Sequence, residues 1–456
     1  MKRRDMIAAM GTLSLGVAAS PFAKGDVLKE PYKVVQKNIT TDVVVVGGGT
    51  AGAVAAIQVG RAGKKVTLIE CVSQLGGTTT TAGVAFPGIF FAWGKQIISG
   101  IGWENVQEAV ELNGDTLPNF SIPHGRQHWN HQVRLNGPLF SVILEQKCVE
   151  AGVDLRYYET PTKIEFKKGF WEMETVGKGI TTKIKCKQII DCSGNAIAAN
   201  IAGFDLLKEA ETQPGTLIFR LGGYDMEALD LDMIKKEYEA AINSGELIRE
   251  EFRGNIVRLL SSKGDNIQHI RGADSTTSES HTAANIHARG SLLKHLKFLK
   301  RLPGCENIVI EDMRTEIGIR ETYRIDGLYQ ITHEDYTSGK KYKDSLSYSY
   351  YPIDLHIIEH GVSPKQLSEG VVASIPLRAL IPKNSKNFMV AGRCLSSDRL
   401  ANSALRVQGS SMAMGQVAGA TAVIACQRNV SPADVPLDEV RELLRNHGAI
   451  VPTGEV

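Results

Sequence analysis

The sequence predicts an α/β fold, a parallel sheet with helices on both faces, carrying an inserted α+β substrate or cap domain. Three observations point to it. Val43 to Val46 is a continuous β-branched run, as a strand covered on both faces requires. It leads straight into a glycine-rich turn and a helix of small residues, Ala53-Val54-Ala55-Ala56. A second apolar run, Lys65 to Ile69, follows, so strand, helix and strand alternate as in a parallel sheet.

The chain has 456 residues, 43% of them hydrophobic and 22% charged, which excludes disordered, collagen-like and small disulfide-stapled classes. That length suits two or three domains. A formal charge of +2 with no basic run argues against nucleic acid as a partner. The seven cysteines are scattered, without Cys-x-x-Cys, and read as buried small residues.

In chain order, residues 1–23 read as an export signal. Lys2-Arg3-Arg4 precedes Asp5, Met6 and Ile7, and a weakly apolar stretch runs to Ala23. Gly11, Thr12, Ser14 and Gly16 make it too polar and too short to span a bilayer. The arginine pair resembles a twin-arginine signal. Its translocase would be a transient partner, and the mature chain would be periplasmic or otherwise exported. Cleavage after Ala19 or Ala23 fits the small residues there. Loss of residues 1–23 removes three basic residues and one acidic residue, and the formal charge of +2 falls to zero. No other run approaches the roughly 18 apolar residues of a membrane span.

Gly47, Gly49 and Gly52 form G-x-G-x-x-G between the first strand and its helix. The first glycine permits the turn, the second lets backbone approach a pyrophosphate, and the third lets helix and strand pack closely. Thr50 and Ala51 open the helix, whose unsatisfied N–H groups face that pyrophosphate. Glu70 ends the second strand, placed for the ribose hydroxyls of an adenosine. Strand, loop, helix, strand and acid in this order predict a dinucleotide site. Three features favour FAD over NAD. Gly76-Gly77 and the following TTTTAG form a polar turn suited to flavin phosphate and ribityl contacts, with Gly77 and Thr78 foremost. A second glycine fingerprint is absent. Exported compartments hold little free nicotinamide cofactor.

Residues 85–130 are rich in aromatics and glycine. A helix is expected from Pro138 to Ala151, then strands near Val153–Leu155, Thr162–Phe166, Trp171–Val176 and Ile184–Ile190. The last runs into DCSGNA, where Gly194 brings backbone back toward the cofactor. Helices are expected over Asp230–Ser244 and Thr282–Leu302. Asn387 to Arg393 is a buried strand running into glycine. Gly409 to Ala425 is a small-residue helix with Gly415, Ala418, Gly419 and Ala422 on one face, for close packing on sheet or flavin.

VVVVGGGTAG with Glu70, LGGTTTTAGV, IIDCSGNA, IGIRETYRIDG, YPIDLH and VAGRCLSSDRLANSALRVQGSSMAMGQVAG occur in that order between residues 41 and 425. Together they make the chain resemble FAD-dependent oxidoreductases with a glutathione-reductase-like flavin fold. The resemblance implies a Rossmann-like FAD-binding domain. It places Gly392 and Arg393 near the flavin phosphates or ribityl chain. Arg406, Val407 and the N-terminus of the Gly409 helix would lie near the flavin N1–C2 edge. The expected division is 38–84, 131–204 and 375–430 for the FAD domain, 85–130 and 205–374 for the substrate or cap domain, and 431–456 for a C-terminal helix and tail.

A flavin dehydrogenase needs a substrate carbon near N5 and a base for the hydroxyl or amine proton. His356, in YPIDLH, is the first candidate, with Asp354 two residues earlier to orient it; a hydrogen-bonded structural histidine is the alternative. Arg320 could anchor a substrate carboxylate or hydroxyls, or form a structural ion pair with Glu321. His124, His128 and His131 read as a polar pocket wall rather than a metal site, and no metal is expected. The chain carries no Cys-x-x-Cys-His haem motif, so electrons would pass to or from an external partner such as a quinone, a cytochrome or dioxygen. The expected function is hydride transfer between a small polar metabolite, a sugar or hydroxy acid, and flavin N5. The alternatives are reduction of an activated alkene and a non-catalytic FAD carrier.

Overall fold

A computed structural model describes residues 33–122, 127–357, 361–362 and 365–453. The export signal and His124 lie outside the described residues. In chain order the elements that position the site are β1 (Val43–Val46), α1 (Thr50–Arg61), β2 (Val66–Glu70), α2 (Gly137–Glu150) and β3 (Asp154–Tyr157). Then come β4 (Thr160–Lys167), β5 (Phe170–Gly177), β6 (Ile180–Cys186), β7 (Gln188–Asp191), α3 (Leu231–Asn243) and α4 (Ser278–Leu299). Last are β8 (Phe388–Val390), α5 (Arg399–Leu405) and α6 (Gln408–Arg428).

Five of the strands form one parallel sheet in the order β8-β7-β1-β2-β3. The register sets Val43 beside both Gln188 and Val66, and Ile189 beside Phe388. Every residue of β1, β2, β7 and β8 is buried, which explains the continuous apolar runs. Strands β4, β5 and β6 form an antiparallel meander. The single strand expected from Ile184 to Ile190 is therefore two strands in different sheets. Lys187 separates them: its N–H reaches Asp42 O at 3.0 Å and its Nζ reaches Asp42 Oδ1 at 2.9 Å. Apolar periodicity could not show that break, because both strands are apolar on the shared side.

The small-residue face of α6 lies on α1. A Cβ on Gly415 would overlap Ala51 O, and one on Gly419 would come 2.7 Å from Ala55 O. Close helix approach accounts for the glycines of that stripe. Helix α4 starts at Ser278, four residues before the expected start, because Thr277 and Ser280 form a capping box.

The apolar side chains gather into three cores. One surrounds α1 and α6 and takes in Phe90, Trp103, Tyr336, Tyr350 and Leu367. A second fills the space between the two sheets, around Trp171, Ile184 and Phe388. The third, around Phe219, Tyr238, Phe252, Leu292 and Ile317, is confined to residues 217–319. That third core lies within the expected 205–374 segment, while Phe90 and Trp103 of the 85–130 segment share the core around α1 and α6. No helix among the described residues is long and apolar enough to cross a membrane.

Candidate active site

The first part of the site is made of main chain. Gly47 has φ +95°, and a Cβ there would come 2.7 Å from Cys192 O and Ser193 N. A Cβ on Gly52 would overlap Gly47 O. Above Gly49, by contrast, a Cβ would meet nothing within 4 Å. The turn is thus closed beneath and open at the second glycine, the shape a pyrophosphate requires. Thr50 and Ala51 are buried in the first turn of α1. Gly77, with Thr78 in the same turn, lies over the loop, since a Cβ on Gly77 would sit 3.0 Å from Gly49 Cα.

Glu70 is held by main chain: Gly48 N–H donates to Oε2 at 2.6 Å and Val72 N–H to Oε1 at 3.0 Å. Gly194 and Gly392 both have positive φ, and Gly392 faces Ala51. Arg393 donates through Nε to Gly194 O at 2.7 Å, through Nη2 to Asn195 Oδ1 at 2.8 Å, and through Nη1 to Ile319 O. All three acceptors are neutral. Loop, acid and cation fit a dinucleotide with an anionic diphosphate, so the residues present suit FAD. Val407 caps α6 beside Gly88, and Gly409 N–H donates to Pro87 O at 2.6 Å, so loop 84–90 covers that helix start.

The second part is made of side chains from distant segments. His356 Nε2 lies 3.2 Å from Asp354 Oδ2, and its Nδ1 lies 3.1 Å from His269 Nε2. Asp354 N–H donates to Ser403 Oγ at 3.1 Å. Arg406, at the end of α5, reaches Asp354 Oδ2 at 3.5 Å and donates to Asp354 O at 3.1 Å. His356 N–H donates to Gln213 Oε1 at 3.0 Å, and Gln213 Nε2 donates to Glu321 Oε2 at 2.9 Å. His269 N–H donates to Glu251 O at 2.9 Å. Arg320 Nη1 donates to Pro214 O at 2.5 Å and Thr216 Oγ1 at 3.0 Å.

Four of the expected residues, His356, Asp354, Arg320 and Arg406, therefore belong to one buried cluster. The Arg320–Glu321 ion pair does not form. Glu321 pairs with Arg399 at 2.8 Å, and neighbouring residues on this extended segment point to opposite sides. His269 and Gln213 were not legible: they lie in apolar and polar surroundings without a motif. His128 stacks edge-on against Tyr351, with centroids 5.2 Å apart, and His131 packs near Phe120. Among the described residues no group of acidic, histidine and cysteine side chains is placed to hold a metal ion. All seven cysteines are free thiols.

The cluster sets its own charges. Burial, reinforced by the Arg320 charge, lowers the His356 imidazolium to about 3, although Asp354 pulls the other way. Burial with the charges of Arg253 and Arg320 lowers His269 to about 2. Burial works to raise Asp354, but its hydrogen bond from His356 and the nearby arginines hold it below the usual carboxylate range. Burial and the Arg406 charge bring Arg320 down to about 9. At neutral pH both imidazoles are neutral and Asp354 is a carboxylate.

These charges fix the tautomers. Asp354 can only accept, so His356 Nε2 carries the proton and its Nδ1 is a lone pair. His269 Nε2 must then donate to it, which leaves the lone pair of His269 on Nδ1. The arrangement is a one-directional chain, His269 to His356 to Asp354, whose proton-accepting atom is His269 Nδ1.

A family model described as FAD dependent oxidoreductase matches residues 42–444. A pseudooxynicotine dehydrogenase from Pseudomonas sp is 41% identical over 75 residues, 16% of this chain and 15% of that one. A nicotine dehydrogenase from Pseudomonas putida is 38% identical over 104 residues, 22% of this chain and 20% of that one. The matches thus span a fifth or less of those relatives. Among solved structures, a geranylgeranyl bacteriochlorophyll reductase-like protein from Thermoplasma acidophilum aligns over 90% of this chain and 82% of its own, with 12% identity and a TM-score of 0.41. A p-nitrophenol 4-monooxygenase from Pseudomonas putida aligns over 90% and 85%, with 13% identity and a TM-score of 0.36.

Proposed function

The chain belongs to the FAD dependent oxidoreductase family, an enzyme family whose cofactor is FAD, and on that premise we propose that it oxidises a small polar metabolite, a hydroxy acid or sugar, outside the cytoplasm. The observation that carries this reading is the His269–His356–Asp354 chain. It supplies a proton acceptor among arginines, which a hydroxyl-bearing substrate needs when its carbon gives up hydride. FAD, when bound through the 47–52 loop, Glu70 and the 392–393 turn, supplies a two-electron acceptor.

The protein's own part is proton management. His269 Nδ1 takes the substrate hydroxyl proton once a bound anion offsets the arginine charges that, with burial, hold its imidazolium down. His269 Nε2–H can then pass to His356 Nδ1, so the positive charge settles on the imidazole that touches Asp354 at 3.2 Å. His356, which the sequence marks as the base, thus serves as the middle of a relay, because both its ring nitrogens are engaged. Arg406 anchors Asp354 from the side of α5, and the Gln213 amide fixes the His356 backbone. The resemblance of the Arg3-Arg4 segment to a twin-arginine signal supports export. The exposed electron partner, a quinone, cytochrome or dioxygen, is external because the chain carries no second redox motif.

An alkene reductase would place an arginine, not a histidine, as the proton donor. The neutral histidine chain ending in a lone pair favours oxidation. The test is an absorption spectrum of the purified protein, followed by anaerobic addition of hydroxy acids and sugars. Flavin bands that bleach with one of these compounds support the reading. Bands that bleach with none of them, yet are restored from the reduced form by an activated alkene, contradict it.

A further inference from the structure

We propose that the substrate carries a carboxylate, and that Arg320 and Arg253 hold it beside His269. This deepens the reading above, on which it rests, and selects a hydroxy acid over a neutral sugar.

Among the described residues the cluster holds more positive charge than it answers. Asp354 is its carboxylate and is committed to His356 and Arg406, at 3.2 and 3.5 Å. Arg320 is 8% exposed, and its hydrogen bonds go to neutral acceptors, Pro214 O and Thr216 Oγ1, through Nη1 alone. The nearby carboxylates are also taken. Glu321 is held by Arg399 and Gln213, and Glu251 by His287 Nε2 at 3.0 Å and Ser291 Oγ at 2.6 Å.

Arg253 follows Phe252, which belongs to the third core. Its Nε is buried without a hydrogen-bond partner among the described residues. Its backbone is left-handed, φ +55°, where it ends the short helix Arg249–Phe252. Two residues before it, Glu251 O accepts the N–H of His269, which ties the Arg253 turn to the proton-accepting imidazole. The Arg253 charge is also felt at both His269 and Arg320.

Two guanidinium groups without carboxylate partners among the described residues, beside a base, would form a site for a planar anion. A carboxylate matches the fork of an arginine with two parallel hydrogen bonds, which a hydroxyl cannot do. A 2-hydroxy acid would then present its carboxylate to Arg320 and Arg253 and its hydroxyl to His269 Nδ1.

The test uses the full FAD-loaded chain and calorimetric titration with oxalate, inorganic phosphate and glucose. Oxalate should bind more tightly than either of the others, and Arg253→Met and Arg320→Met should each weaken it at least tenfold with FAD content unchanged. Oxalate affinity untouched by these substitutions, or phosphate or glucose binding more tightly than oxalate, would overturn the proposal. Arg253 is only partly buried, so Arg253→Met keeps the test decisive if Arg320→Met does not fold. A protein that cannot be loaded with FAD would instead overturn the functional reading itself.

Discussion

The cofactor cradle and the proton-relay cluster share one molecule but are built from opposite materials. The cradle is main chain: a loop that tolerates no Cβ at Gly47 or Gly52, and backbone N–H groups that fix Glu70. The cluster is side chain, drawn from residues 213, 253, 269, 320, 354, 356 and 406, and most of its contacts join residues far apart in sequence. Binding a diphosphate needs shape and dipole, which a short local segment supplies. Moving a proton needs groups with matched charge in a dry place, which only a folded body supplies. The two regions should therefore fail in different ways when altered.

The largest expected effect separates them. His269→Asn should slow substrate-driven bleaching of the flavin by about 10²–10⁴-fold while FAD remains bound, as measured by anaerobic stopped flow. Gly52→Val should do the reverse. Its side chain would overlap Gly47 O, so the purified protein should lack flavin and lose about 1–3 kcal/mol in a denaturant titration. A flavin-replete Gly52→Val protein would break the comparison at the cradle.

Asp354→Asn should come next. It removes the negative charge and puts an amide that can donate as well as accept in its place, so the His356 tautomer is no longer fixed and Arg406 loses its carboxylate, at a cost of about 3 kcal/mol in a denaturant titration.

The pH dependence sharpens the picture further. Both imidazoles are lowered from 6.5, to about 3 and about 2, so the neutral relay is already complete at mildly acidic pH. A kcat/KM profile should show no break near 6.5. The sign for stability follows from the same shifts. The unfolded chain binds these protons first, so their contribution is complete above 6.5 and is lost progressively as pH falls toward about 3. The smallest effect should come from Arg61→Ala at the exposed pair with Glu104, whose loss should change stability by about 0.5 kcal/mol and leave flavin content and bleaching untouched.

The same contrast explains what the sequence could reveal. The parallel sheet was legible because β1 and β2 are continuous apolar runs joined by the glycine loop and α1. Asp354 and His356 were legible as a pair because they are two residues apart. The roles within the cluster were not. Nothing near His269 or Arg253 marks either residue, and the Arg320–Glu321 pairing suggested by adjacency is replaced by Glu321 with Arg399, 78 residues away. Arg406, expected at the flavin edge with the start of α6, also reaches Asp354, and the Gly409 N–H of that helix is taken by Pro87. Long-range packing set these partners, and no short window of sequence contains it.

The division of labour between cradle and relay is tested most directly by one anaerobic experiment on two variants, His269→Asn and Gly52→Val, read at the flavin band before and after substrate. The expected result is a yellow His269→Asn protein that does not bleach and a Gly52→Val protein that is colourless. A His269→Asn protein that bleaches as fast as the unaltered chain would contradict it.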